Sequence, residues 1–300
     1  MTSVYKHLAG TALACGFAAF IAPAHADENL FGYVYGAETL PKGAGEIYTW
    51  ITRRHDKGVG AYRALDTQLE LEYGVTDRLQ GSLYLTGNKH TIHGVSQPDE
   101  NGDIDIPDLK RGMSLNGVKA SAKYMFKSPY KDGYGLSAYV EPTFTRYQKV
   151  RGTEGNQYSV EIRGIFQKNF LDDQLIFAAN LWLEPEWHKF KASGEKESEV
   201  ELEVDLGVSY RFAPKWYAGV EYRYHSEYPN LGTYKLQLSK REHLAQFLGP
   251  TLHYGDKKWW FTATWLPQIM GRPLDRSIST ELHLGEHERS EYRLKVGYNF

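Results

Sequence analysis

Two histidine-bearing segments carry residue types from which an enzyme is built. His225 and Ser226 would be base and nucleophile of a lipid hydrolase. Such a pair must share one face of a strand near the membrane rim, hence stand at an even spacing. Neighbours on a strand point to opposite faces, so His225 is expected as an interfacial histidine and Ser226 as the entry to a loop. His283-Leu-Gly-Glu-His287 has the His-x-x-Glu-His spacing of inverted zinc peptidases. That motif works when a helix turns both rings to one side beside the glutamate. A central glycine and the absence of helical context argue for a solvated loop, with adventitious metal binding as the lesser reading. Asp99-Glu-Asn101-Gly102-Asp103-Ile-Asp105 alternates acids as a calcium loop does, but Gly102 takes the fourth place and Lys110 the twelfth, where the motif requires glycine sixth and glutamate twelfth. An exposed polar loop is expected there. The sequence assigns no catalytic, cofactor-binding or metal-binding residue.

The charged residues with a clear periodicity are of another kind. Val200, Leu202, Val204, Leu206, Val208, Tyr210 and Phe212 alternate with Glu199, Glu201, Glu203, Asp205, Ser209 and Arg211. This is a two-faced strand. In a membrane the apolar face must meet lipid, because a charge there costs a few kcal/mol at the midplane, so the carboxylates face inward. The same parity places Asp66, Gln68, Glu70 and Glu72 on an inner face, with Lys119, Ser121, Lys123, Glu141, Glu161, Arg163, Glu221, Arg223, Arg293 and Lys295 on the inner faces of other strands. Such a lining is either a hydrated passage biased toward cations or a closed lumen in which acids and bases pair across strands.

The elements that would position these side chains number about twelve. They are 46–53, 64–75, 79–90, 114–126, 134–147, 157–170, 175–187, 199–212, 216–227, 245–254, 259–269 and 290–300. Each is longer than the roughly five or six residues usual in soluble sheets and near the 9–11 that cross a bilayer at a tilt. Short links rich in Pro, Gly, Asp and Lys follow the even strands; longer ones, 54–63, 91–113, 148–156, 188–198, 228–244 and 270–289, follow the odd. Short periplasmic turns and long outside loops are the habit of bacterial barrels. Aromatic residues flank the short turns (Tyr124, Phe126, Tyr134, Phe170, Phe212, Trp216, Tyr217, Tyr254, Trp259, Trp260, Tyr298, Phe300), and Trp50, Tyr147, Trp187, Tyr224 and Trp265 lie nearer the long loops. Amphipathic rings suit the two headgroup levels.

The first 26 residues read as a signal peptide. Lys6 and His7 precede the apolar stretch Leu8–Pro23, and Ala24-His25-Ala26 is a small-x-small cleavage site. Cys15, the single cysteine, falls in that apolar stretch, so the mature chain has no thiol chemistry. Without Lys6, the 35 basic residues become 34 against 37 acidic ones; nothing resembles the basic stripe of a nucleic-acid binder. Residues 27–45 form an arm, with Phe31, Tyr33 and Tyr35 alternating before Pro41 interrupts, and are expected to plug or line the lumen of a barrel spanning 46–300.

Tyr292, Leu294, Val296, Tyr298 and Phe300 alternate to the chain terminus, which resembles the signal read by the barrel-assembly machinery. Four stretches, Glu28–Gly43, Glu72-Tyr-Gly-Val-Thr-Asp-Arg78, Tyr210-Arg-Phe-Ala-Pro-Lys-Trp-Tyr-Ala-Gly219 and Gly249-Pro-Thr-Leu-His-Tyr-Gly255, resemble an uncharacterised family of proteobacterial outer-membrane proteins of about 300 residues. The resemblance implies a barrel fold and an outer-membrane location, with no cofactor and no known site residues. More loosely, the chain is similar to small-solute uptake channels, at the level of fold alone. The expectation is an all-β, up-and-down transmembrane barrel of about twelve strands in contact with outer-membrane lipid and lipopolysaccharide. Its function would be a narrow channel for an unidentified small solute with a weak cation preference. The alternatives are a lipid-modifying enzyme and a barrel that binds surface partners without transport.

Overall fold

Period-two sequence becomes period-two burial. Leu83 is 65% exposed on the outer face while Glu70, opposite Tyr84 across one ladder, is 1% exposed inside. The computed structural model describes residues 29–96, 106–229, 241–273 and 282–300. Its strands are β1 (Gly45–His55), β2 (Ala61–Thr76), β3 (Leu79–His93), β4 (Leu109–Lys127), β5 (Gly135–Tyr147), β6 (Glu154–Phe170), β7 (Leu175–Phe190), β8 (Lys196–Ala213), β9 (Trp216–Pro229), β10 (His243–Gly255), β11 (Trp259–Pro273) and β12 (Ser290–Asn299). Each pairs antiparallel with its sequence neighbours, and β12 pairs with β1 from Glu46↔Asn299 to His55↔Ser290, closing the sheet into a barrel. Closure removes the exposed edges that lipid could not satisfy. The fold is therefore a twelve-strand, up-and-down transmembrane barrel with short periplasmic turns and long extracellular loops.

Most strands run further toward the extracellular side than their apolar alternation suggests. Ala61↔His93, Gly155↔Phe190 and Lys189↔Lys196 are ladder pairs inside segments expected as loops. Above the bilayer the outer face meets water, so apolar residues are no longer required there, but backbone N–H and C=O groups still pair. The loops at 54–63, 148–156 and 188–198 shorten accordingly. The calcium-like segment 99–105 and the signal segment 1–26 lie outside the described residues.

Four aromatics expected in the girdles point inward. Trp260 is buried over Gly297, where a Cβ would stand 2.2 Å from its ring. Tyr217 packs on the arm, while Trp50 and Tyr147 line the lumen. The reason is the pleat: in Trp216-Tyr217 and Trp259-Trp260 only one ring of each pair can face lipid.

Residues 29–38 lie inside the barrel, and Pro41, Lys42 and Gly43 are exposed at its rim. Phe31, Val34 and Ala37 are buried among lumenal side chains, and Phe31 rests on Gly207, where a Cβ would approach its ring to 2.7 Å. An irregular segment has no ladder for its backbone, so wall side chains supply the partners. Gly32 and Tyr33 N–H both donate to the Glu221 carboxylate at 2.8 Å, Tyr35 N–H to Asn180 at 2.7 Å, Ala37 N–H to Gln167 and Leu40 N–H to Gln80 at 2.8 Å. The arm thus fills the periplasmic half of the lumen.

Candidate functional site

Above the arm is a cavity of about 230 Å³ with Tyr33 and Tyr35 as its floor. Its upper boundary comes from two infolded loops. Arg54 donates to the Lys149 carbonyl and bridges Asp66 and Glu288 at 2.7 and 2.6 Å, and Tyr62 donates to the Val150 carbonyl at 2.7 Å. Lys57, buried in the loop after β1, donates to the carbonyls of Gly285 at 2.7 Å and His287 at 3.1 Å. Burial pushes the Lys57 ammonium down, opposed by Glu288 at 3.9 Å.

The charged side chains named from sequence fall on the inner face. Glu70, Glu72, Lys123, Glu141, Glu161, Arg163, Glu201, Glu203, Asp205, Glu221, Arg223 and Lys295 are buried, while Lys119, Glu199 and Arg293 are partly so. Arg211 stands at the periplasmic rim, beside the Asp172 carbonyl. They divide into two populations. One is paired by bases: Arg223 grips Glu203 through two nitrogens at 2.9 and 2.8 Å and reaches Glu291 at 3.3 Å, Arg163 holds Glu161 at 2.7 Å, and Lys119 holds Glu141 at 2.7 Å. Glu72 accepts from Gln80 at 3.0 Å and from Ser82 at 3.3 Å. The seam residues hold the arm: Arg293 lies 3.6 Å over the Tyr33 ring and donates to the Gly32 carbonyl at 3.0 Å, and Lys295 donates to Asn29 at 2.7 Å.

The second population is acid gathered against acid on the extracellular half of β7, β8 and β9. Glu184, Glu186 and Glu201 bring one carboxylate oxygen each within 4.8 Å of one another, as do Glu201 and Glu227 with a nitrogen of His225. Ser159 donates to Glu184 at 2.6 Å and Gln157 to Glu186 at 2.5 Å. These neutral donors orient the carboxylates. Sequence reasoning missed Glu184 and Glu186 because the pair brackets Pro185, which hid the inner-face alternation Asn180, Trp182, Glu184, Glu186, His188. That alternation is the signal that finds them.

Two expectations about histidines are corrected. His225 is buried in the lumen, its Nδ1 2.8 Å from Glu203, not at the membrane interface. Ser226 is fully buried on the opposite parity and donates to the Leu202 carbonyl at 3.2 Å, so no base–nucleophile contact joins the two. His283 and His287 are not solvated: His283 is 2% exposed and His287 9%. Burial, then the neighbouring His243, pushes His283 down to about 2; burial and His225 hold His287 well below the ordinary imidazole range. Their loop turns inward because Lys57 and Gln268 capture its carbonyls, interactions invisible to local sequence.

A closed barrel with a chain segment in its lumen and a charged inner wall belongs among outer-membrane barrels. More particularly, the chain belongs to the family of unknown function DUF6662, whose model matches residues 23–300. A search of the curated proteins finds no match to the sequence. Among solved structures, an outer-membrane channel from Pseudomonas putida F1 is similar with a TM-score of 0.61 and 13% identity, over 88% of this chain and 98% of that one. The beta domain of a Bordetella autotransporter is similar with a TM-score of 0.51 and 14% identity, over 86% and 100% of the two chains. At these identities the likeness is one of fold.

Proposed function

We propose that the protein is a narrow outer-membrane channel for small solutes with a preference for cations. The observation that carries this reading is the gathering of Glu184, Glu186 and Glu201 beside a lumenal cavity, with no base among the described residues bonded to Glu184 or Glu186. Rings of carboxylates select cations, and a fully compensated lumen would have matched each acid with a base, as it does around Arg223 and Arg163. The arm and the infolded loops narrow the route and set its size limit. In this reading residues 1–26 are a cleaved signal peptide. The terminal alternation through Phe300 is the assembly signal, and the outer wall meets lipid and lipopolysaccharide.

Planar-bilayer recording in a salt gradient tests it. The expected result is a small single-channel conductance with a cation-selective reversal potential. Absence of conductance would overturn the channel, and anion selectivity would overturn the role given to the acids.

A further inference from the structure

His243 at the start of β10 and His283 and His287 in the loop before β12 bring one ring nitrogen each within 4.8 Å of one another. The closest pair, His243 Nδ1 and His287 Nε2, is 3.1 Å apart. Two nitrogens bound tetrahedrally to one ion at about 2.0–2.1 Å stand roughly 3.3 Å apart, so this pair already has nearly the spacing of co-ligands. His283 is the decisive ring. It is buried, and neither Nδ1 nor Nε2 has a hydrogen-bond partner among the described residues. A neutral imidazole carries one N–H and one lone pair, and leaving either unpaired in the interior is costly. A ring held there serves something other than the hydrogen-bond network.

One ring and one backbone segment of the set are held from behind. His243 Nε2 lies 3.2 Å from Glu227 Oε2, at ion-pair distance though not aligned as a hydrogen bond; this is the carboxylate–histidine arrangement that leaves the other nitrogen for a metal. The backbone N–H of His283 donates to Gln268 Oε1 at 2.6 Å, and Gln268 Nε2 donates back to the His283 backbone carbonyl at 3.1 Å. Gly271 lets that backbone approach, since a Cβ there would fall 2.0 Å from His283 N. The Lys57 ammonium opposes a cation, but it is spent on three loop carbonyls and faces Glu288, while Glu227 stands 3.2 Å from His243.

We propose that His243, His283 and His287 bind a divalent transition-metal cation of the zinc, nickel or copper type at the extracellular end of the lumen. Imidazole sets favour these ions, whereas calcium and magnesium demand oxygen. Three protein nitrogens leave a fourth position open, which is the form of an exchangeable site and not of a closed structural one. His225, in edge contact with His287 at 4.8 Å between ring centres, links this set to Glu201 and Glu227, which stand level with His243 on the adjoining strands. Resting on the channel reading, the site would be the entry station of that passage; the binding itself does not need the passage.

The test is calorimetric titration of the full-length protein in detergent with Zn2+ and separately with Mg2+, with Co2+ absorption as a geometric readout. One Zn2+ per chain and a tetrahedral Co2+ visible band are expected, with no heat from Mg2+. His283→Ala and His287→Ala should each weaken Zn2+ binding roughly 100-fold or more, with folding checked by heat-modifiable migration on gels. If either variant does not fold, anomalous scattering at the zinc edge on wild-type crystals decides: a peak between the three rings supports the site, and its absence overturns it. No stoichiometric Zn2+ binding, equal binding of Mg2+, or unchanged affinity in the folded variants also overturns it. Zn2+ binding without conductance would remove the passage and leave the site.

Discussion

Glu221 is the handle by which the wall holds the arm, and its removal should open the lumen. The fully buried carboxylate accepts from Gly32 and Tyr33 N–H at 2.8 Å, Val34 N–H at 3.2 Å and the Thr264 hydroxyl at 2.8 Å. Glu221→Ala leaves three backbone donors without their acceptor, at about 1–3 kcal/mol each, or roughly 3–9 kcal/mol. Water from the cavity above brings this toward the lower end. Against it stand the buried side chains of Phe31 and Val34, worth about 1.5–3 kcal/mol each. The two sums overlap, so the arm should leave the lumen for a measurable fraction of the time. Glu221→Gln keeps the volume and one carbonyl oxygen, and should fall between wild type and Ala. Single-channel recording should show larger conductance in the order wild type, Gln, Ala. Chymotrypsin, excluded from buried Phe31 and Tyr33 in the wild type, should cleave the Ala variant. Unchanged conductance and unchanged resistance in Glu221→Ala would refute the account of Glu221 as the principal handle on the arm.

Other expectations follow from the same geometry. Gly207→Leu places a side chain where Phe31 rests, directly across the ladder from Glu221, and should displace the arm with the Glu221 carboxylate still present, read by the same chymotrypsin assay. Arg223→Met strands the buried Glu203 and Glu291; losing one partner of a buried pair costs about 3–5 kcal/mol, so the urea midpoint for unfolding should fall. Glu184→Gln with Glu186→Gln and Glu201→Gln removes the three carboxylates of the acid cluster while retaining hydrogen-bonding capacity, and should shift the reversal potential toward zero. An unshifted potential would place the selectivity elsewhere.

Much of the architecture is legible from sequence because a barrel wall repeats one rule. Val200 through Phe212 could be assigned inside or outside from parity alone, and the alternation of short and long links gave the topology. The places where parity misled are doublets such as Trp259-Trp260, where composition suggested a girdle and the pleat sends one ring inward. The histidine cluster was not legible at all. His283 and His287 are near in sequence, but His243 reaches them through the β10–β11 pairing, and what turns their loop inward is a lysine at 57, more than two hundred residues away. Long-range contacts of that kind have no local periodicity.

The arm has a mechanical consequence beyond filling space. Its partners Gln80, Gln167, Asn180, Glu221, Thr262 and Arg293 sit on β3, β6, β7, β9, β11 and β12, which are distributed around the circumference. A closed sheet keeps its hydrogen bonds when squeezed from round to oval, so its cross-section is soft. A segment fastened to several walls acts like the spokes of a wheel. The same residues that narrow the lumen therefore hold its outline, and the spacing between facing walls, on which every side-chain constellation above the arm depends, is fixed from within.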